Sequence, residues 1–206
     1  NDAGLAAQIF VRLSDEAWQQ LASRPLVTLS LNDIALGAEV DVGMAKAVAS
    51  SPQQLILGKI VALDRQAILE SFADIEDAGD ISIREKILEA LMHRFEVYAP
   101  YRTQIKSLTV ATRRQPDLGV GMGISLHNVT QRILLMAGDS CKGWRGLLRI
   151  KGVIGVVVFA SRVWMKDDTS DLSPTMKDLD QRLLRAEEWA VSLNLLRQNE
   201  RSAVLD

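Results

Sequence analysis

Nearly the whole chain carries apolar residues at helical spacing, which leaves room for little but an all-α fold. The clearest case is Ile83, Ile87, Leu91, Phe95 and Tyr98, one stripe of an amphipathic helix flanked by Leu88 and Met92. Ser82-x-x-Glu85 opens that helix as a capping box: the hydroxyl accepts from an amide of the first turn, and the carboxylate reaches back to the cap amide. Pro100 closes it, since proline has no amide hydrogen and collides with the preceding turn. Strand-like alternation is rare. Val153-Ile154-Gly155-Val156-Val157-Val158-Phe159 would suit a buried strand, but the length of segment 143–165 and the lack of partner strands favour a buried helix.

The remaining punctuation places the other elements. A first helix is expected over about 5–23, ending at Arg24-Pro25. Ser51-Pro52-Gln53-Gln54 starts another, with Ser51 as cap, Pro52 at the first helical position and Gln54 closing a capping box. That helix is expected to reach about Phe72. Segment 73–81, with Asp74, Glu76, Asp77, Gly79 and Asp80, reads as an acidic surface loop and as the best boundary between a small head and a larger body. Helices over 100–114 and 118–137 follow, the second with Met122, Leu126, Val129, Ile133 and Met136 on one face and Gly138-Asp139-Ser140 at its end. Ser173-Pro174 is expected to cap a long last helix. Met176, Leu179, Leu183, Ala186 and Leu193 line one face of it, and Arg182, Arg185, Glu187 and Glu188 the other.

Composition removes several function classes. With 206 residues, 48% of them apolar, the chain can bury a sizeable core. Its net charge of -2 lacks the global basic signal of a nucleic-acid binder. Residues 1–60 hold Arg12, Arg24, Lys46 and Lys59 against Asp2, Asp15, Glu16, Asp33, Glu39 and Asp41, so the head is mildly acidic. The lone Cys141 excludes an internal disulfide and a cysteine-rich metal site and reads as an idle thiol. No signal peptide is expected from these residues, and the longest apolar run, 152–160, is far below the roughly 20 residues a membrane span needs. A soluble, cytoplasmic protein without an integral membrane segment is expected, with binding at a membrane surface left open.

Catalytic chemistry is sparse. His93 and His127 fall on separate helices, and no Glu or His is read at metal-ligand spacing around them. His127, in an apolar helix, reads as an interior or pocket histidine. Gly119-Val120-Gly121-Met122-Gly123 lacks the preceding strand and the Lys-Ser of a phosphate loop, and reads as a helix start where glycine admits a close neighbour. No nucleophile–base pair is present. The expectation is a protein that is not an enzyme, with no catalytic residues, cofactor or metal. Arg145, Arg149 and Lys151, just before the apolar run, read as a solvated helix face or as groups meeting acidic head groups or a partner subunit.

Segment 29–57 carries the frame of a helix-turn-helix: Ile34 and Ala35 on one short helix, Gly37 at the turn, Val40 and Ala45 on the next. This frame resembles that of TetR-type repressors. In those proteins the second helix presents a small polar residue, a lysine, a tyrosine and a further aromatic pair before a Pro-Ser-Lys turn. Here Asp41, Val42, Lys46, Val48, Ala49 and Ser50-Ser51-Pro52 stand in those places. The candidate DNA-binding residues are therefore Ser30, Asn32, Asp41, Val42, Lys46 and Ala47. Lys46 is the only base on the second helix, and a carboxylate at Asp41 favours the helix dipole but repels phosphate.

The body carries further resemblance. Arg94-Phe95, Ala99-Pro100-Tyr101-Arg102 and Gly143-Trp144-Arg145-Gly146-Leu147-Leu148-Arg149 are similar to a proteobacterial TetR-like subgroup. So is the block from Ser161 through Trp164-Met165-Lys166-Asp167-Asp168 and Ser170-Asp171-Leu172 to Leu179-Asp180-Gln181-Arg182-Leu183. This last block also resembles the lipid-binding accessory proteins of ubiquinone biosynthesis. The resemblance implies a TetR-like arrangement: a three-helix head over 1–50 and a body of about six helices over 51–206. It implies a homodimer joined through 143–165 and 173–196, and a pocket in each body for an apolar small molecule or lipid. It further implies operator DNA as partner or, for the ubiquinone relatives, an isoprenoid-like lipid. Candidate pocket residues are Met92, Phe95, Tyr98, Met122, Leu126, His127, Val157 and Trp164. Gln198-Asn199-Glu200-Arg201-Ser202 is too polar and short to be the terminal membrane helix of those relatives.

Overall fold

The structure, a computed structural model, describes residues 2–193, so the expectations for 194–196 and 198–202 lie outside the described residues. Within them every regular element is helical: α1 (Asp2–Leu21), α2 (Leu31–Gly37), α3 (Val42–Val48), α4 (Pro52–Ala78), α5 (Ile83–Tyr98), α6 (Arg102–Ala111), α7 (Pro116–Met136), α8 (Gly143–Trp164) and α9 (Ser173–Ser192). Single 3-10 turns at Leu26–Thr28 and Ala99–Tyr101 precede α2 and α6. The ambiguous Val153–Phe159 run is helix, with Val153, Val156, Val157 and Ala160 turned inward.

The chain packs as two compact units. One holds the chain up to Leu63 together with Pro100–Ser125, the other Asp64–Ala99 together with the chain from Leu126 onward. In the first unit Leu13, Ala17, Trp18 and Leu21 of α1 meet Ile34 and Ala35 of α2 and Ala45 of α3 in the core. Trp18 stands edge-on to Tyr101 with ring centroids 5.8 Å apart. A Cβ on Gly121 would lie 2.7 Å from a methyl of Leu57, so glycine here does admit a close neighbour.

The second unit is built on α5, whose Ser82–Glu85 capping box forms in both directions. Its inner face is Ile87, Ala90, Leu91, Met92, Phe95 and Tyr98. Phe95 and Trp164 of α8 pack with centroids 5.6 Å apart, and the Trp164 indole N–H donates to the Phe95 carbonyl at 3.1 Å. Beneath them Asp64 of α4 accepts from Arg94 Nε at 2.9 Å and from the Tyr98 hydroxyl at 3.0 Å. Burial, with the Asp64 charge second, pushes the Tyr98 phenol well above its ordinary range. The fork of Arg149 clasps both oxygens of Asp139 at 2.5 and 2.6 Å, both side chains buried. This corrects the reading of Arg149 as a solvated or partner-facing cation: it ties the end of α7 to α8 in a largely buried ion pair.

Three boundaries differ from expectation. α4 continues through Ala73–Ala78, and Gly79, at φ 75°, ends it. The acidic residues there are the wet face of a helix whose inner face, Leu63, Ala67, Ser71 and Ile75, keeps a four-residue step. At the start of α4 Ser51 caps the amide of Gln54, while the Gln54 side-chain Oε1 accepts from Ser50 rather than Ser51. Ser173 is the first residue of α9 and not its cap. Leu172 holds the cap position at φ 50°, and Asp171 accepts from the Ser173 amide and hydroxyl.

Candidate functional site

The helix-turn-helix forms where the sequence placed it, by a different device. Gly37 is the last residue of α2, and a Cβ there would run into the Glu16 side chain of α1. The turn itself is made at Glu39, a non-glycine residue at φ 53°. Arg12 of α1 secures it, donating to the carbonyls of Ala38 at 2.5 Å and Glu39 at 3.5 Å. Val40 lies in this turn and not on α3. Ala45 and Ala49 face the core, and Gly43, Met44, Lys46 and Ala47 face outward.

Of the candidate DNA-binding residues, two are occupied in capping. Ser30 accepts from the Asp33 amide at 3.1 Å and starts α2, and Asp41 accepts from the Met44 amide at 3.0 Å and starts α3. Asn32, Lys46 and Ala47 are exposed and Val42 is half-buried. The other head cations are committed as well: Arg24 to Asp33 at 3.3 Å and Lys59 to Asp15 at 2.6 Å. Lys46 makes no ion pair among the described residues. The outward face of α3 therefore carries Gly43, Met44 and Ala47 with Lys46 as its one cation.

In the second unit Met92, Phe95, Tyr98, Val157 and Trp164 are all core residues, each under a tenth exposed, while Leu126 and His127 are half-buried on α7. Met122 belongs to the first unit. None of the eight lines the open cleft of this unit, which measures about 400 Å³ and lies among α5, α8 and α9. Ile83, Ile87, Leu148, Val153, Leu183 and Trp189 give that cleft an apolar wall. Its polar rim includes Arg84, which pairs with Asp180 and stands 3.5 Å from Glu187. Burial raises the Glu187 carboxyl above its ordinary value, against the lowering pull of Arg84. Ile83, Ile87 and Leu183 were in the helical stripes, but Trp189 was not, and the convergence depends on the crossing of helices, which periodicity does not encode.

The surroundings of His93 also differ from expectation. Glu89 and Glu96 stand one turn before and one turn after it on α5, and α4 adds Asp74. His93 Nε2 lies 2.8 Å from an Asp74 carboxylate oxygen and 3.4 Å from one of Glu89, and Nδ1 lies 3.7 Å from Glu96. The reading that no Glu stands at ligand spacing from His93 is thereby corrected; the four-residue step to Glu89 was visible in the sequence.

The quoted block Trp164–Asp171 proves architectural. Asp167 is buried in the corner between α8 and α9 and accepts from the amides and hydroxyls of both Thr169 and Thr175. Burial alone pushes its carboxyl up, but these four hydrogen bonds outweigh it and hold the group down at about 2.

No family model matches the sequence, and no curated protein matches it. Among solved structures, a TetR transcriptional regulator from Nitrosomonas europaea superposes with a TM-score of 0.66 at 16% identity, covering 86% of this chain and 96% of that one. A TetR transcriptional regulator from Rhodococcus sp. RHA1 superposes with a TM-score of 0.58, also at 16% identity, covering 86% and 94%. The chain has the all-α fold of these TetR-type regulators.

Proposed function

We propose that this chain is a TetR-like transcriptional regulator, a homodimer that binds operator DNA and responds to an apolar small molecule. The observation that carries this reading is the helix-turn-helix: α3 is anchored by Ala45 and Ala49 and turns Gly43, Lys46 and Ala47 toward solvent on a fold shared with such regulators. Assembly is supported by α8, where Trp144, Val158 and Phe159 are exposed and Gly155 has open space around it. Exposed apolar side chains of this kind on one long helix suit burial against a second copy. The cleft among α5, α8 and α9 supplies space and apolar wall for the ligand. A ligand with unequal affinity for two dimer geometries would shift their populations and so alter operator binding.

The acidic head favours a second reading from another class. With Ser30 and Asp41 used as caps and Lys46 the one uncommitted base of α3 among the described residues, the fold suits a lipid- or isoprenoid-binding accessory protein related to ubiquinone biosynthesis. A salt-dependent titration against the chain's own upstream DNA and a scrambled duplex separates the two. Selective binding that weakens steeply with salt supports the regulator, and Lys46→Ala then lowers the log–log salt slope by about one. No binding to either duplex at low salt overturns it and directs the search to lipid extracted from the purified protein.

A further inference from the structure

We propose that His93, Glu89 and Asp74 form a binding site for a divalent first-row transition-metal ion of the zinc, cobalt or nickel class. Glu89 and His93 share one face of α5, and Asp74, one turn before the end of α4, faces them. One ligand atom from each lies within 4.8 Å of the other two. An ion with bonds of about 2.1 Å sets neighbouring ligand atoms about 3–3.4 Å apart, and the imidazole nitrogen stands 2.8 and 3.4 Å from the two carboxylate oxygens. The two carboxylate oxygens, within 4.8 Å of one another, would close toward that spacing around an ion by rotation of exposed side chains.

The surroundings of the ring support this. His93 is largely covered, at 15% side-chain exposure, while Asp74 and Glu89 are open to solvent, so water would fill the remaining coordination positions. Glu96 lies on the Nδ1 side at 3.7 Å, and a closer approach on metal binding would let it accept that N–H and leave the Nε2 lone pair for the ion. Both arginines of α5 are engaged elsewhere, Arg84 with Asp180 and Glu187 and Arg94 with Asp64, so neither neutralises this cluster. One imidazole with two carboxylates suits the borderline transition metals better than calcium or magnesium, which take oxygen alone. Bound there, the ion would fasten the last turn of α4 to α5.

The test uses the full chain stripped with chelator and titrated calorimetrically with zinc, with cobalt and its visible absorption as a second probe. One ion per chain is expected, with a dissociation constant of micromolar order, weaker than four-ligand structural zinc. Asp74→Asn and Glu89→Gln are each expected to weaken binding about tenfold or more, and Glu96→Gln by a lesser factor. His93→Ala should abolish both the heat and the cobalt band, and His127→Ala should leave them unchanged. Absence of zinc binding, or binding indifferent to Asp74→Asn and Glu89→Gln, overturns the proposal. Because those two carboxylates are exposed, the variants decide the matter even if His93→Ala impairs folding.

Discussion

Two tight corners in this molecule solve the same backbone problem in different ways. The α2–α3 turn and the α8–α9 corner each hold a non-glycine residue in the left-handed region, Glu39 at φ 53° and Leu172 at φ 50°. That conformation costs about 1–2 kcal/mol for a residue with a Cβ. Leu172 is 5% exposed, and the neighbouring Asp167 gathers four hydrogen bonds within the same corner. Glu39 is solvated; its turn is closed by backbone hydrogen bonds from the Glu39 amide to Leu36 at 3.2 Å and from the Val40 amide to Ala35 at 2.9 Å, with one arginine reaching it from α1. The lesson is that a strained turn can be sustained by burial and a saturated carboxylate, or by local helix-end hydrogen bonds with one side-chain tether at the surface. The first arrangement is stiff, and the second leaves the corner nearer its stability limit.

The largest expected effect falls on the buried corner. Asp167→Ala leaves two amides and two hydroxyls short of an acceptor and should destabilise the protein by about 3 kcal/mol in denaturant titration. The same carboxylate makes stability pH-dependent, with a sign that follows from its depressed value. Since the folded group ionises near 2 and the unfolded one near its ordinary value, its contribution is complete above about pH 4 and is lost as pH falls through 2. Acid unfolding profiles should therefore be flatter in that window for Asp167→Asn; an unchanged profile would contradict the account.

Glycine substitution sharpens the comparison by having opposite signs at the two corners. Leu172→Gly relieves the strain but removes a buried side chain, a net loss of about 1–2 kcal/mol. Glu39→Gly relieves similar strain and uncovers nothing, a gain of about 0.5 kcal/mol. Melting temperatures of both variants read the difference, and equal signs would show that burial is not what separates the corners.

The two corners were unequally legible. Capping and periodicity are local codes, so the Ser82–Glu85 box, the α5 stripe and the helical state of α8 followed from the sequence. The end of α4 did not, because Asp74, Glu76 and Asp77 resemble a loop until Ile75 is seen to continue the Leu63–Ala67–Ser71 step. Glu39 carried no sign of its conformation, since glycine two residues earlier drew the reading of the turn. Arg149 looked solvated because its partner Asp139 is ten residues away across a turn, and ion pairs between helices leave no local signature. The head was legible as mildly acidic, but that Ser30 and Asp41 are occupied as caps needed coordinates.

The placement of the indoles makes the protein its own optical probe. Trp18 in the first unit and Trp164 in the second are each 2% exposed, whereas Trp144 and Trp189 are 63% and 70% exposed on α8 and α9. The inner pair emits from an apolar surround and is shielded from a dissolved quencher such as iodide, so its red shift on denaturation follows loss of each unit's core. The outer pair is open to the quencher until another surface covers it. One emission spectrum thus reports two separate events, and single tryptophan-to-phenylalanine exchanges would assign each component to its position in the chain.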